Sequence, residues 1–191
     1  TPTDDTFSAV PISEATAAGR SIGGELAINL DGFVLARGGF SFVEQTGLEL
    51  TDGDLSLSDV NLQTISLTNV DLFVGTGGAW DRDEDGNIEA LDLVNASGFS
   101  IKEANLEIAT VSETSGLRRR WLGLAASVEQ LDLEGLPSGL LEVSSLDILY
   151  NKADSTSGSR LDWSNLKNAD SNLSVLAEEF QDLTRTTDLS V

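Results

Sequence analysis

The chain has no cysteine, no histidine and no methionine, and only three prolines among 191 residues. Each absence closes a class of explanation. Without cysteine no disulfide can staple the fold, no thiol can act as a nucleophile and no thiolate can hold zinc. Without histidine the commonest general base is missing, so no serine can be activated by an imidazole. The missing methionine includes an initiator, as expected of a processed chain or a piece of a longer polypeptide. Cysteine-free composition is compatible with export, because calcium can replace disulfides as the cross-link. Basic residues are also scarce: 11 Lys and Arg stand against 32 Asp and Glu, for a formal net charge of -21. That balance excludes nucleic acid as a partner, since phosphate binding needs Lys and Arg. It equally disfavours anionic membrane surfaces. No apolar run reaches the roughly 18 residues of a membrane-spanning helix, and no signal-peptide pattern is visible in this stretch.

What is present is enough apolar content, 40%, to build a core. The length suits one large domain or one module of something longer. Residues 1–20 are small and polar and read as a lead-in or linker, leaving residues 21–191 as a single β-rich domain. Residues 25–30 give a first strand with Leu26, Ile28 and Leu30 in period two, closed by an Asp31-Gly32 turn. Residues 33–37 and 40–43 continue the pattern. From residue 55 an apolar doublet recurs every five residues: Leu55/Leu57, Val60/Leu62, Ile65/Leu67, Val70/Leu72. Within a doublet both side chains face one way, but a step of five flips the face unless a bend or bulge intervenes. The chain therefore either turns a corner at each repeat, as a β-solenoid, or buries both faces of a strongly coiled sheet in sequence. The stretch resembles a pentapeptide-repeat coil, with large Val, Ile and Leu where that family prefers small residues. Doublets return at Phe99/Ile101, Leu106/Ile108, Leu131/Leu133, Leu141/Val143 and Ile148/Tyr150. A turn is expected at residues 136–139 and a flexible loop, free of apolar residues, at 154–159. Residues 171–185 place Leu173, Leu176, Phe180 and Leu183 near helical spacing, with Asp170 or Ser171 as cap. The expectation is an all-β fold, mainly antiparallel, as an elongated twisted sheet or sandwich or a solenoid-like module, with one short helix late.

The most specific motif is Asp81-Arg-Asp83-Glu-Asp85-Gly86-Asn87-Ile88-Glu89-Ala-Leu-Asp92, a twelve-residue calcium-loop pattern. Asp81, Asp83 and Asp85 take positions one, three and five. Gly86 takes six, where the turn needs positive φ. Asn87 offers its backbone carbonyl at seven, Glu89 stands at nine, and Asp92 closes the loop at twelve. Close carboxylates repel unless a cation sits among them, and calcium accepts six to eight hard oxygens in flexible geometry. Position twelve is usually Glu, so the shorter Asp92 must approach more closely or bind through one oxygen. Neither flank reads as the helix of a paired EF-hand. The expected ligand is Ca2+, held as a structural staple rather than a sensor; the bland alternative is a solvated acidic turn.

The segments at residues 30–42, 70–78, 122–127, 133–137 and 150–151, with the acidic loop between them, resemble the long repeat module of giant bacterial secreted or cell-surface β-strand proteins. The resemblance spans most of residues 24–166. It implies an exported chain whose modules stack into a calcium-stiffened fibre or adhesin stalk. Its partners would then be copies of itself or neighbouring modules, joined by strand addition. No internal copy of the module is visible within this chain.

Other chemistry is thin. Asp162 beside Trp163 suggests a carboxylate next to a sugar-stacking ring, but such pairs are non-specific, and no catalytic residue is assigned. Trp80, directly before the acidic loop, either anchors it on the core or meets a glycan or protein. Arg118, Arg119 and Arg120 form the only basic cluster, read either as a partner contact or as arginines lying over an exposed strand. Asn95 and Asn172 head glycosylation triplets, a weak signal. The resulting expectation is a non-enzymatic, calcium-stabilised structural module of an extracellular bacterial fibre, matrix or adhesin. A carbohydrate-binding or adhesive domain is the second reading, and a secreted glycan-active enzyme the third.

Overall fold

The structure, a computed structural model, describes residues 19–136, 142–143, 145–169, 176 and 180–190. In chain order the strands are β1 (Gly19–Leu30), β2 (Val34–Thr51), β3 (Ser56–Thr76), β4 (Ala79–Arg82), β5 (Ile88–Asp92), β6 (Ser97–Glu113), β7 (Arg120–Val128), β8 (Gln130–Glu134), β9 (Glu142–Val143), β10 (Leu146–Ala153), β11 (Lys167–Asn168) and β12 (Leu189–Ser190). A 3-10 turn, Trp163–Asn165, separates β10 from β11. The fold is all-β and antiparallel. One sheet runs β1-β2-β3-β6-β7-β10-β12, with β8 beside β6, β9 beside β8 and β11 beside β2, while β4 and β5 form a separate hairpin. No described helix is long and apolar enough to cross a membrane.

Local chemistry explains the first connection. Asp31 and Gly32 both have positive φ, 51° and 72°, the conformation of a tight turn whose twist matches two antiparallel strands. Phe33 N donates to Leu30 O at 2.9 Å, and Gly32 N to the Asn29 side chain at 2.8 Å. The turn sets a register in which Leu30 faces Val34 and Ile22 faces Phe42. The strand anticipated over residues 25–30 thus begins earlier, at Gly19. Of the expected lead-in, residues 1–18 lie outside the described residues.

The five-residue doublets resolve as a coiled sheet rather than a solenoid, since β3 runs through them as one strand. Asp59 and Asn69 have left-handed backbone, φ 52° and 50°. Asn69 lies in the register break between Leu67 and Val70, where an extra residue restores the face that a step of five would otherwise flip. Leu57, Val60 and Leu62 therefore point to one face, and all are buried. Between Leu62 and Ile65 no such residue intervenes. The apolar side passes to the opposite face, where Ile65, Leu67, Val70 and Leu72 follow. In β6, Glu103 (φ 54°) does for Ile101 and Ala104 what Asn69 does in β3.

The first face carries the main core. Leu50, Leu57, Val60, Leu62, Val111 and Trp121 pack with Leu161, Trp163, Leu166, Phe180 and Leu183 from the chain beyond β10. Trp163 and Phe180 lie 5.8 Å apart between ring centroids. Each large side chain buried here contributes roughly 1.5–3 kcal/mol. A smaller cluster of Leu35, Phe73 and Ala96 lies further along the same face. The second face is built from rows of facing residues, such as Ile22, Phe42, Ile65, Ile108, Leu124 and Tyr150. At the far end of that face come Leu30, Val34, Val74, Phe99 and Leu133.

The helix expected over residues 171–185 falls largely outside the described residues. Of its described end, Phe180 has 3-10 backbone and residues 181–185 are turns or irregular. Leu183 N donates to Phe180 O, while Leu183 O accepts from Trp163 N and Ser164 N, at 3.0–3.2 Å. These bonds tie the segment to the Trp163 turn rather than to a continuing helix. The turn expected at 136–139 and the Asn172 triplet lie mostly or wholly outside the described residues. The loop at 154–159, anticipated as flexible, is closed on itself. The Asp154 carboxylate accepts from Thr156 N, Thr156 Oγ1 and Ser157 Oγ at 3.1, 2.8 and 2.5 Å. The Ser157 and Thr156 bonds, only partly opposed by desolvation, lower the Asp154 pKa to about 2.

Candidate functional site

The acidic motif forms the β4–β5 hairpin. Ala79 faces Asp92, Trp80 faces Leu91 and Asp81 faces Ala90, with a bulge before the Arg82–Ile88 pair. Alternation puts Trp80 and Leu91 on the side that packs, with Leu93, against Leu35, Phe73 and Ala96. Asp81 and Asp92 share the other, exposed side. Trp80 is half-buried and anchors the hairpin on the small core. Arg37 clamps it to the sheet: Nε donates to Asp71 at 2.9 Å and Nη1 to the Ile88 carbonyl at 3.4 Å.

At the tip, Asp83 N donates to Asn87 O and Gly86 N to Asp83 O, both at 3.0 Å. The Asp83 carboxylate is the hub. Its Oδ1 accepts from Asp85 N and Asn87 N at 2.9 and 2.8 Å, and its Oδ2 from Asn87 Nδ2 at 2.8 Å. The Asn87 side-chain bond, followed by the backbone bonds, holds the Asp83 carboxyl below its ordinary pKa. Gly86 has φ 89°, the left-handed backbone anticipated at position six. The Arg82 guanidinium donates to the Gly86 carbonyl at 2.6 Å.

The donor set fits a hard cation: carboxylates, an amide and a carbonyl, with no nitrogen or sulfur ligand. The six side chains do not converge, however. Asp81 and Asp92 stand near the base of the hairpin, and Asp83, Asp85 and Asn87 at its tip. Among the described residues no three acidic side chains gather closely enough to hold a metal. Asp85 and Glu89 point into solvent. Asn87 uses its carbonyl to close the turn rather than leaving it free.

The remaining candidates separate clearly. Trp163 is a correction: at 1% exposure it is a core residue, so it offers no ring for a ligand. Its Nε1 donates to Asn151 Oδ1 at 2.9 Å. Asp162 accepts from Ser164 Oγ and Asn165 Nδ2 at 2.5 and 3.0 Å and serves the 3-10 turn. Arg119 pairs with Glu113 of the same hairpin, its Nε 3.0 Å from Oε1, and lies over the Trp121 ring at 5.3 Å. That ion pair, chiefly through its side-chain hydrogen bond, lowers the Glu113 pKa and raises that of Arg119. Arg118 and Arg120 are exposed.

Two polar hubs escaped the sequence reading. Asp52, 5% exposed, accepts from Asp54 N and Leu55 N through Oδ1, at 3.1 and 2.7 Å. Through Oδ2 it accepts from Asp162 N at 2.9 Å and Arg185 Nη2 at 2.6 Å. Asn151, fully buried, donates through Nδ2 to Leu161 O and Thr184 O, both at 2.8 Å. The only signal in the sequence was an Asp-Gly turn at 52–53 and an asparagine closing an apolar run. Neither names partners so distant along the chain. Searches against protein families, characterised proteins and solved structures find no match.

Proposed function

We propose that this chain is a calcium-stabilised structural module of an extracellular bacterial fibre, matrix or adhesin. The observation that carries this reading is the acidic hairpin itself. Asp-x-Asp-x-Asp-Gly runs from β4 to the exposed tip, Gly86 has the backbone the pattern needs, and Trp80 and Arg37 fix the hairpin to the sheet. Calcium would draw Asp81 and Asp85 onto Asp83 and cross-link a chain that has no cysteine. Binding would thus order the tip, not switch a helix pair, since none flanks it. Strand addition supplies the assembly step. β1 is a twelve-residue strand, and its outer edge pairs with no other described strand, the kind of edge that accepts another chain. The carbohydrate reading is weaker, since of its two aromatic residues only half-buried Trp80 reaches the surface.

The experiment is thermal unfolding with and without calcium. At free calcium about a hundredfold above Kd, binding to the folded state adds about 2.7 kcal/mol. At roughly 2–4 °C per kcal/mol for a chain of this size, Tm rises by about 5–10 °C. Asp81→Asn and Asp85→Asn abolish the rise without lowering the calcium-free Tm. An unchanged Tm in wild type, with no heat of calcium binding by calorimetry, ends the calcium reading.

A further inference from the structure

A β-sheet with two apolar faces needs a layer on each. Here one face has its layer, with Leu161, Trp163, Leu166, Phe180 and Leu183 at one end and the acidic hairpin at the other. On the opposite face no described segment is packed. The registered rows from Ile22–Phe42–Ile65 to Leu30–Val34–Val74 contain no charged residue, in a chain where 23% of residues are charged. No apolar residue of these rows is among the fully buried ones. Ile22 is 63%, Leu26 49% and Ile65 42% exposed.

The dimensions bear on what covers this face. Six strands from β1 to β10 span roughly 24 Å at about 4.8 Å per strand, and the rows from Ile22 to Leu30 roughly 27 Å at about 3.3 Å per residue. The product, about 650 Å² before side-chain corrugation, approaches the ~800 Å² per partner of a stable interface. It also reaches the upper end, about 600 Å², of apolar patches carried by monomers. The row bounding this face is of mixed sign: Arg20 pairs with Glu44 at 2.7 Å, and Gln63 donates to Glu44 at 2.9 Å. Lys152 continues the same row, so this edge presents no excess of negative charge to an approaching copy, although the chain as a whole is at -21.

We infer that this face is covered by a second copy of the chain, sheet on sheet, with the two apolar faces about 10 Å apart. The acidic side chains then stay outward, and the pair is a sandwich completed in trans. The inference is independent of the calcium reading, because the hairpin lies on the other face.

Sedimentation equilibrium of the full chain between about 1 and 100 µM, without calcium, tests it. The expected species is a dimer of twice the 20.2 kDa chain mass. Leu26→Lys and Ile65→Lys, at positions half-exposed within one copy, are expected to be monomeric with an unchanged far-UV circular dichroism spectrum. A monomeric wild type overturns the inference. Phospholipid retained by that monomer in native mass spectrometry assigns the face to lipid, and failure to bind a hydrophobic dye assigns it to the chain's own segments. A dimer that survives both lysine substitutions overturns it too. Should both variants lose their spectrum, a nitroxide on Ile22→Cys, the sole cysteine, is read instead. Dipolar coupling between copies within roughly 35 Å, the diagonal of the face, is expected, and its absence overturns the inference.

Discussion

Replacing Asn151 with alanine removes the amide that joins β10 to the segment forming the core cap. Three bonds go at once: from Trp163 Nε1 at 2.9 Å, and to Leu161 O and Thr184 O at 2.8 Å. Asn151 and Leu161 are fully buried and Trp163 nearly so, so the indole N–H and the Leu161 carbonyl lose their partner where water has no ready access. An orphaned buried group costs about 1–3 kcal/mol. The half-buried Thr184 carbonyl can be solvated and adds less. The expected loss is therefore about 2–6 kcal/mol, a large share of the 5–15 kcal/mol typical of a domain. Urea unfolding followed by tryptophan fluorescence and far-UV circular dichroism measures it. The midpoint should fall at unchanged m-value. Asn151→Asp keeps the indole acceptor but faces two carbonyls with a buried carboxylate, so it should be at least as damaging. A loss below about 1 kcal/mol for both variants would falsify the view that this amide organises the cap.

Gly123→Ala is expected to cost about 1–3 kcal/mol by overpacking, because a Cβ there would lie 2.8 Å from Trp163 Cε2 and 2.9 Å from Leu183 Cδ2; calorimetric Tm reads it. Acid should destabilise the protein below pH 4. The folded pKa of Asp154 is depressed to about 2 by Ser157 and Thr156, and those of Asp83 and Glu113 are lowered as well. Their stabilisation is complete above the unfolded carboxylate range near 4 and is lost as pH falls towards 2. A Tm–pH profile of Asp154→Asn that is as steep as wild type over that interval refutes the assignment. Glu103 runs the other way, its pKa raised by the hydrogen bond and charge of Glu129. Glu103→Gln should raise Tm at pH 7, and the gain should vanish as acid protonates Glu103 in the parent.

Much of the local architecture was legible in the residues. Asp31-Gly32 between alternating apolar runs signalled a hairpin, and its left-handed backbone is what such a turn requires. Gly86 marked the sharp turn at the tip of the acidic motif, but the flanks of the motif gave no sign that its ends would pair as β4 and β5. The five-residue doublets announced either a corner at each repeat or a change of apolar face in a coiled sheet, without saying which or where. That choice depends on single residues, Asp59, Asn69 and Glu103, whose positive φ marks the bulges. None of the three is a glycine, so no residue type advertised them. The late helix expected over residues 171–185 falls mostly outside the described residues; of its apolar positions, Leu176, Phe180 and Leu183 pack into the core that caps the sheet, a role that spacing alone does not announce.

Composition and periodicity by themselves determined that the protein is all-β, acidic, free of imidazole and thiol chemistry, and punctuated at Asp-Gly turns, because those properties follow from residue type and local spacing. Only the tertiary structure decided which face of each strand is covered, that Trp163 is core rather than surface, and that Asp52 and Asn151 hold the cap. Asp52 and Arg185 are 133 positions apart. A contact at that separation is created by strand order and register, which no local pattern encodes.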